Sequence, residues 1–226
     1  MVFGNLSIWL ALISVLFAAW KFFRAFKIEH NLGKRERGEE YLKSARQGFY
    51  AMVVFIGIAS IYLLYLIFTH QFQVSYVYRY SSRSLPAGLL LSTFWAGQEG
   101  SFLLWSLFIA ILGIVFLQKI RRYEPFAMLI VSAVQAFFLL LLIKASPFAL
   151  QPQIPPDGAG LNPLLQNFWM VIHPPLLFLG YAAATFPLAL GLAALVKRDY
   201  DDWLHQALPW TLFTSVTLGA GIIIGA

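Results

Sequence analysis

Long apolar runs alternate with shorter polar ones along this chain, and the length of the runs decides what they form. Hydrocarbon cannot satisfy backbone N–H and C=O groups, so a helix that crosses a membrane needs about 20 mostly apolar residues to span a core of roughly 30 Å. Six stretches come close to or meet that length, near residues 3–23, 48–69, 101–117, 125–142, 174–196 and 207–226. The pattern predicts an all-α polytopic membrane protein, with six transmembrane helices forming a single transmembrane domain over 1–226. The first run lacks the positive n-region and the cleavage site of a signal peptide and reads as a retained span.

The polar segments differ in character. KIEHNLGKRERGEEYLKSARQG, after the first run, reads as a short solvated helix with Glu39 and Lys43 at the supporting i, i+4 spacing. Its His30 is expected at the surface, as is His205 in KRDYDDWLHQALPW. Asp199, Asp201 and Asp202 in that second segment resemble a carboxylate cluster, but acids ahead of a helix also complement its N-terminal dipole, and the cap is preferred. The remaining two loops are longer. In HQFQVSYVYRYSSRSLPAGLLLSTFWAGQEGS, the alternating Tyr76, Tyr78 and Tyr80 predict a short extended or interfacial segment. KASPFALQPQIPPDGAGLNPLLQNFW carries Pro147, Pro152, Pro155, Pro156 and Pro163, which exclude helix through most of it, while Asp157 and Gly158 mark a tight turn. Both loops are apolar and aromatic enough to be ordered, so function is expected on their side.

Charge sets an orientation. Lys and Arg number 16 against 10 acids, a net charge of +6. Thirteen of them lie in the first loop, its helix ends, and the turns after the third and fifth helices; only Arg79, Arg83 and Lys144 lie on the other side. Cytoplasmic loops accumulate Lys and Arg, so both termini are predicted on the outer, periplasmic side of the inner (cytoplasmic) membrane. The same bias explains the basic balance through anionic lipid, with no nucleic acid as partner. A composition 60% hydrophobic and 12% charged fits the membrane class. Cysteine is absent, which excludes disulfides and thiolate metal sites and leaves His or oxygen for any metal.

Two motifs carry candidate chemistry. In WMVIHPPLLFLGY, Pro174 and Pro175 lack N–H donors and suit the first turn of the fifth helix. The residue before a proline is biased to extended conformations, so His173 is expected outside that helix, at the outer interface. Neutral imidazole is a good ligand for haem iron, which also needs an apolar, aromatic wall that the outer loops can supply; alternatively, His173 caps the helix or anchors at the headgroups. In FWAGQEGSFLLW, Gly97 and Gly100 predict a flexible turn around Gln98 and Glu99, after which Ser101 opens the third helix. An acid there suits the helix dipole, or is a functional interfacial group. His70, at the outer end of the second helix, reads as an interfacial anchor or a further ligand. Gly221 and Gly225 have the spacing that lets helices approach closely.

Taken together, FWAGQEGSFLLW and DGAGLNPLLQNFWMVIHPPLLFLGY resemble the CcmF branch of the cytochrome c assembly proteins, membrane haem lyases, over essentially the whole chain but only the N-terminal part of a typical member. The resemblance implies an outer face that receives haem b from a haem chaperone, holds it between two external histidines beside a tryptophan-rich segment, and joins it to the cysteines of apocytochrome c. The His-Pro-Pro match places the first external ligand on His173, with Pro174, Pro175, Trp95, Gln98, Glu99, Asn162 and Gln166 as neighbouring cofactor-binding candidates. Two departures follow. The family commonly has His-Glu-Gly-Ser where this chain reads Gln98, Glu99, Gly100 and Ser101, so that imidazole is missing. The tryptophan-rich segment, the second external histidine and the internal haem ligands come after the sixth helix in the family. The expectation is one piece of a haem lyase, from a split gene with a second chain carrying the tryptophan-rich segment, or a truncated piece, without autonomous activity. The alternative is a non-catalytic subunit of another membrane complex, such as a haem transporter or a quinone-linked scaffold.

Overall fold

The computed structural model describes residues 1–32, 35–120, 122–199 and 201–225, with side chains described for all of these except 31, 32, 35–37 and 170. Among the described residues eight α-helices follow one another: α1 (Val2–Leu32), α2 (Arg35–Phe68), α3 (Ser75–Tyr80), α4 (Ala87–Ser92), α5 (Gln98–Lys119), α6 (Glu124–Lys144), α7 (Phe168–Lys197) and α8 (Asp202–Gly225). Short 3-10 turns sit at Thr93–Trp95 and Pro163–Leu165. Six helices, α1, α2, α5, α6, α7 and α8, are long and apolar enough to cross a membrane, and no strand is present among the described residues. The all-α, six-span fold is thus as the apolar runs predict. The loop predicted to hold a separate solvated helix differs: α1 and α2 run on as continuous helix into it, and Glu39 faces Arg46 at 3.9 Å, two turns along, rather than Lys43.

Apolar residues surround these helices on all sides, so the buried stripe is picked out by packing rather than by polarity. On α1 it runs Ala11, Val15, Ala18, Phe22, Ala25, and on α2 Leu42, Ala45, Phe49, Met52, Ile56, Ala59, Leu63, alternating steps of three and four residues on both. That is heptad spacing, and small residues such as Gly48, where a Cβ would lie 3.2 Å from that of Ala18, let the two helices lie close as an antiparallel pair. The opposite face of α1, with Trp9, Ile13, Leu16 and Trp20, is exposed, as lipid-facing positions should be. Helix α6 packs on α1, α5 on α2, α6 and α7, and α8 chiefly on α7. Only 17% of the apolar stretch of α8 is buried, against 50% in α5 and α6.

One polar node lies inside the bundle. The amide of the fully buried Gln135 on α6 donates to the Ser106 carbonyl of α5 at 3.0 Å and meets Met52 Sδ of α2 at 3.3 Å. With no water to compete, such a bond fixes the register of three helices.

The two ends of the bundle are built differently. At the basic end, where α1 finishes, Arg46 grips the buried Glu124 with two bonds of 2.6 Å, and Lys197 pairs with Glu29 at 2.8 Å. Arg122 bridges Asp199 at 2.8 Å and Asp202 at 2.5 Å, Tyr123 donates to Asp199, and Asp199 accepts the backbone N–H of Asp202 as α8 begins. The aspartate cluster is therefore a helix cap and an ion-pair hub; no group of three potential metal ligands occurs among the described residues. At the opposite end, here the loop end, lie the chain's first residue, α3, α4 and the long proline-rich connection.

Candidate functional site

Both motifs fall at the loop end. In the first, Tyr76 is the centre. The alternation of tyrosines predicted an extended segment, but Ser75–Tyr80 is helical, because Tyr76 turns inward and its hydroxyl reaches past its own helix. That hydroxyl accepts the Gly97 N–H at 3.1 Å and lies 2.9 and 3.0 Å from the carbonyls of Thr93 and Phe94, to one of which it donates. Burial pushes the Tyr76 phenol pKa up, so the proton it donates stays on.

The glycines of this motif answer to the same tyrosine. A Cβ on Gly97 would lie 2.4 Å from the Tyr80 ring, and one on Gly100 would lie 1.9 Å from the Phe94 carbonyl and 2.2 Å from Tyr76 Oη. They permit close approach; no flexible turn is present, since α5 starts at Gln98 with Gly97 as its cap rather than at Ser101. Glu99, in the first turn, takes the Arg79 guanidinium at 2.7 Å, and Ser101 donates to the Trp95 carbonyl at 2.9 Å. Gln98 points to the exterior. Trp95 is half-buried, its indole N–H enclosed without a hydrogen-bond partner among the described residues.

In the second motif, the polar side chains first organise their own loop. Asp157 accepts the N–H groups of Arg83 and Gly158, which holds its carboxyl below the usual range, and Gly158 is tight against the Ser81 carbonyl. Asn162 accepts the Leu164 N–H at 3.0 Å and Gln166 donates to the Leu161 carbonyl at 2.9 Å, closing the Pro163–Leu165 turn between them. Asn167 then caps α7, accepting the Trp169 N–H at 3.2 Å. Around these caps Leu164, Phe168 and Trp169 stand 83%, 66% and 53% exposed.

That cap corrects the reading of His173. The helix begins at Phe168, so His173 sits inside it, about 8 Å along at roughly 1.5 Å per residue, and Pro174 and Pro175 lie inside as well. The prolines leave the carbonyls of residues 170 and 171 without their usual i+4 donors, a loss tolerated close to a helix start where the chain is already capped. The bias of the pre-proline residue is overridden by the packing of α7 on α8. His173 Nδ1 lies 2.7 Å from the Gly221 carbonyl of α8. A carbonyl only accepts, so Nδ1 carries the proton, and the Nε2 of the neutral ring keeps its lone pair.

His70, two residues past the end of α2, is in a left-handed conformation (φ 52°), its Nδ1 enclosed beside Phe72 without a partner among the described residues, whereas His30 and His205 are exposed at the basic end. Trp95, Gln98 and Glu99 gather at the start of α5, and His173, Asn162 and Gln166 at the start of α7. No hydrogen bond or ion pair joins the two groups among the described residues.

Residues 95–226, containing both arrangements, match the family model described as cytochrome C assembly protein. The chain belongs to that family. Among its relatives, a cytochrome c-type biogenesis protein CcmF from Pseudomonas fluorescens is 38% identical over 191 residues, 80% of this chain and 28% of that protein. CcmF from Haemophilus influenzae is 31% identical over 230 residues, covering 98% and 33%. A solved structure of the cytochrome c heme lyase CcmF matches with a TM-score of 0.80 at 27% identity, over 97% of this chain and 34% of that one. The chain thus spans about a third of the length of these cytochrome c assembly relatives, and the CcmF resemblance read from its motifs is borne out.

Several organising residues of this family member escape a reading of its sequence. Tyr76 is one aromatic among many in its loop, and the Arg46–Glu124 pair joins residues 78 positions apart. Gly221 and Gly225 do signal close approach, but not that the close neighbour of Gly225 is an imidazole.

Proposed function

We propose that this chain is the haem-receiving membrane part of a cytochrome c haem lyase, oriented with the loop end on the outer, periplasmic face of the cytoplasmic membrane. The thirteen-to-three division of Lys and Arg between the ends supports the orientation. The observation that carries the site is the bonded Nδ1 of His173, which leaves Nε2 as a bare nitrogen in the first turns of a helix whose start carries the exposed Leu164, Phe168 and Trp169. A metal-ligating histidine characteristically gives its other N–H to a carbonyl or carboxylate, and haem needs an apolar, aromatic wall. These residues fit one axial side of a haem.

Haem, with haem b as the incoming form, is the substrate here. It supplies vinyl groups across which the thiols of apocytochrome c add, sulfur to one carbon and hydrogen to the other, forming thioethers with no net redox change. The contribution of this chain is to bind and orient: His173 holds the ring position, and Asn162, Gln166 and Asn167 fix the loop from which the apolar wall projects. Glu99 is committed to Arg79 and serves as neither acid nor base. The second axial ligand and the tryptophan-rich wall are assigned to residues beyond these 226, on a continuing segment or a second chain, with a haem chaperone delivering the substrate.

The test is the haem content and absorption spectrum of the protein extracted from its own membranes with whatever co-purifies, compared with His173→Ala. Loss of haem, or an altered ligation spectrum, is expected. Unchanged stoichiometry and spectrum would overturn the ligand role. Purification without haem and with unrelated redox or transport subunits would favour a non-catalytic subunit of another complex.

A further inference from the structure

We infer that α8 is the positioning element for the His173 ring: the Gly221 carbonyl selects its tautomer, and the bare Cα of Gly225 leaves the slot the ring occupies. The functional consequence rests on the proposed haem ligation, whereas the geometry stands without it.

The slot is defined atom by atom. A Cβ on Gly225 would lie 2.2 Å from His173 Cε1, 2.3 Å from Nδ1 and 2.9 Å from Nε2, so a side chain there and the ring in its present place are incompatible. One turn earlier on α8, the Gly221 carbonyl meets Nδ1 at 2.7 Å. A carbonyl has two lone pairs, so it can accept this bond as well as the helix bond from the Gly225 N–H. Deeper in the bundle the same seam closes reciprocally: a Cβ on Gly221 would strike Leu177 at 2.7 Å, and one on Gly180 would strike Leu218 at 2.6 Å. His173, Leu177 and Gly180 are spaced i, i+4, i+7 and share one stripe of α7. Gly219, two residues before Gly221, meets nothing within 4 Å. The small residues are therefore not interchangeable: one makes room for the imidazole, two make room for leucines, and one faces open space.

In a neutral histidine free in water, Nε2 is the favoured site of the proton. A carbonyl fixed at Nδ1 reverses that preference and leaves Nε2 as the electron-pair donor, while the ring plane is clamped against α8. Helix α8 thus decides which nitrogen is offered to iron without touching iron itself, and strengthens that nitrogen as a donor by hydrogen-bonding its partner.

The chain has four histidines, so ring-labelled ¹⁵N NMR of the intact protein in detergent, with whatever co-purifies, can identify His173 as the signal lost in His173→Ala. Nearly all His173 is expected in the Nδ1–H form before any haem is added. Gly225→Ala is expected to move it to a minority, and in reduced haem-loaded protein to lower the iron–histidine stretching frequency; Gly219→Ala is expected to change neither. A dominant Nε2–H form in the unsubstituted protein overturns the inference without recourse to a variant. So does a Gly225→Ala protein that melts like Gly219→Ala and keeps the original tautomer. If the tautomer behaves as expected but His173→Ala retains all its haem and its spectrum, the haem reading fails while the positioning of the ring by α8 stands.

Discussion

The two motifs at the loop end use similar residues to opposite purpose. Around FWAGQEGS, polar and small groups are turned inward and spent on one another: Tyr76 on Gly97, Glu99 on Arg79, Ser101 on Trp95, and two glycines on the space Tyr76 and Tyr80 need. Around NPLLQNFWMVIHPP, Asn162, Gln166 and Asn167 are spent on short backbone caps, and the result is to hold Leu164, Phe168 and Trp169 outward and His173 with a free nitrogen. The first is a clasp and the second a platform. What separates the two motifs is where the hydrogen-bonding capacity has gone.

The sharpest test of this contrast is Gly100→Ala. The new methyl meets a backbone carbonyl that cannot turn aside, and a loss of about 3 kcal/mol or more is expected in the thermal unfolding of the extracted protein, with any haem spectrum of the folded remainder unchanged. Tyr76→Phe leaves the buried Gly97 N–H unanswered, for about 1–3 kcal/mol, again with unchanged haem ligation. A spectral change at unaltered stability in Tyr76→Phe would break the contrast, because the clasp would then belong to the site. Asn167→Ala should do the reverse, costing only about 1 kcal/mol by loss of a cap while fraying the first turn of α7 and weakening haem retention. Glu99→Gln loosens a partly exposed ion pair, so less than about 1 kcal/mol is expected, and haem retention should hold. The smallest effect is expected from Gln98→His, within about 0.5 kcal/mol at an exposed position; a new bis-histidine spectrum would show that this position reaches the iron after all.

What the sequence made legible follows the range of the forces involved. Span length is a local property, and all six long helices were readable from it. The start of α7 was not, because the prolines signal locally while the winning interactions are the Asn167 cap upstream and a seam with α8 some 48 residues away. Helix α3 is six residues long and held by bonds to distant segments, Tyr76 to the α5 cap and Tyr78 to Ala159 of the proline-rich connection, so alternation over so short a stretch pointed to the wrong period. For the candidate site, the place of His173 near the start of the fifth long helix could be read and its setting could not. Nothing adjacent in sequence indicates that a carbonyl near the end of α8 will hold its ring.

The seam between α1 and α6 has a consequence for how the chain is made. Helices α1 and α2 can pair once residue 68 has emerged, but the Asn5 side chain waits for the Ser146 hydroxyl, 141 residues later, just as Phe26 waits for Phe126 and Arg46 for Glu124. From the end of the hairpin at residue 68 to Ser146 is 78 further residues, roughly 4 to 16 s at synthesis rates of ~5–20 residues per second. For that time the first hairpin sits in the bilayer with its α6-facing surface unfilled. An early hairpin with a delayed partner is the point in biogenesis at which a membrane chaperone has most to protect.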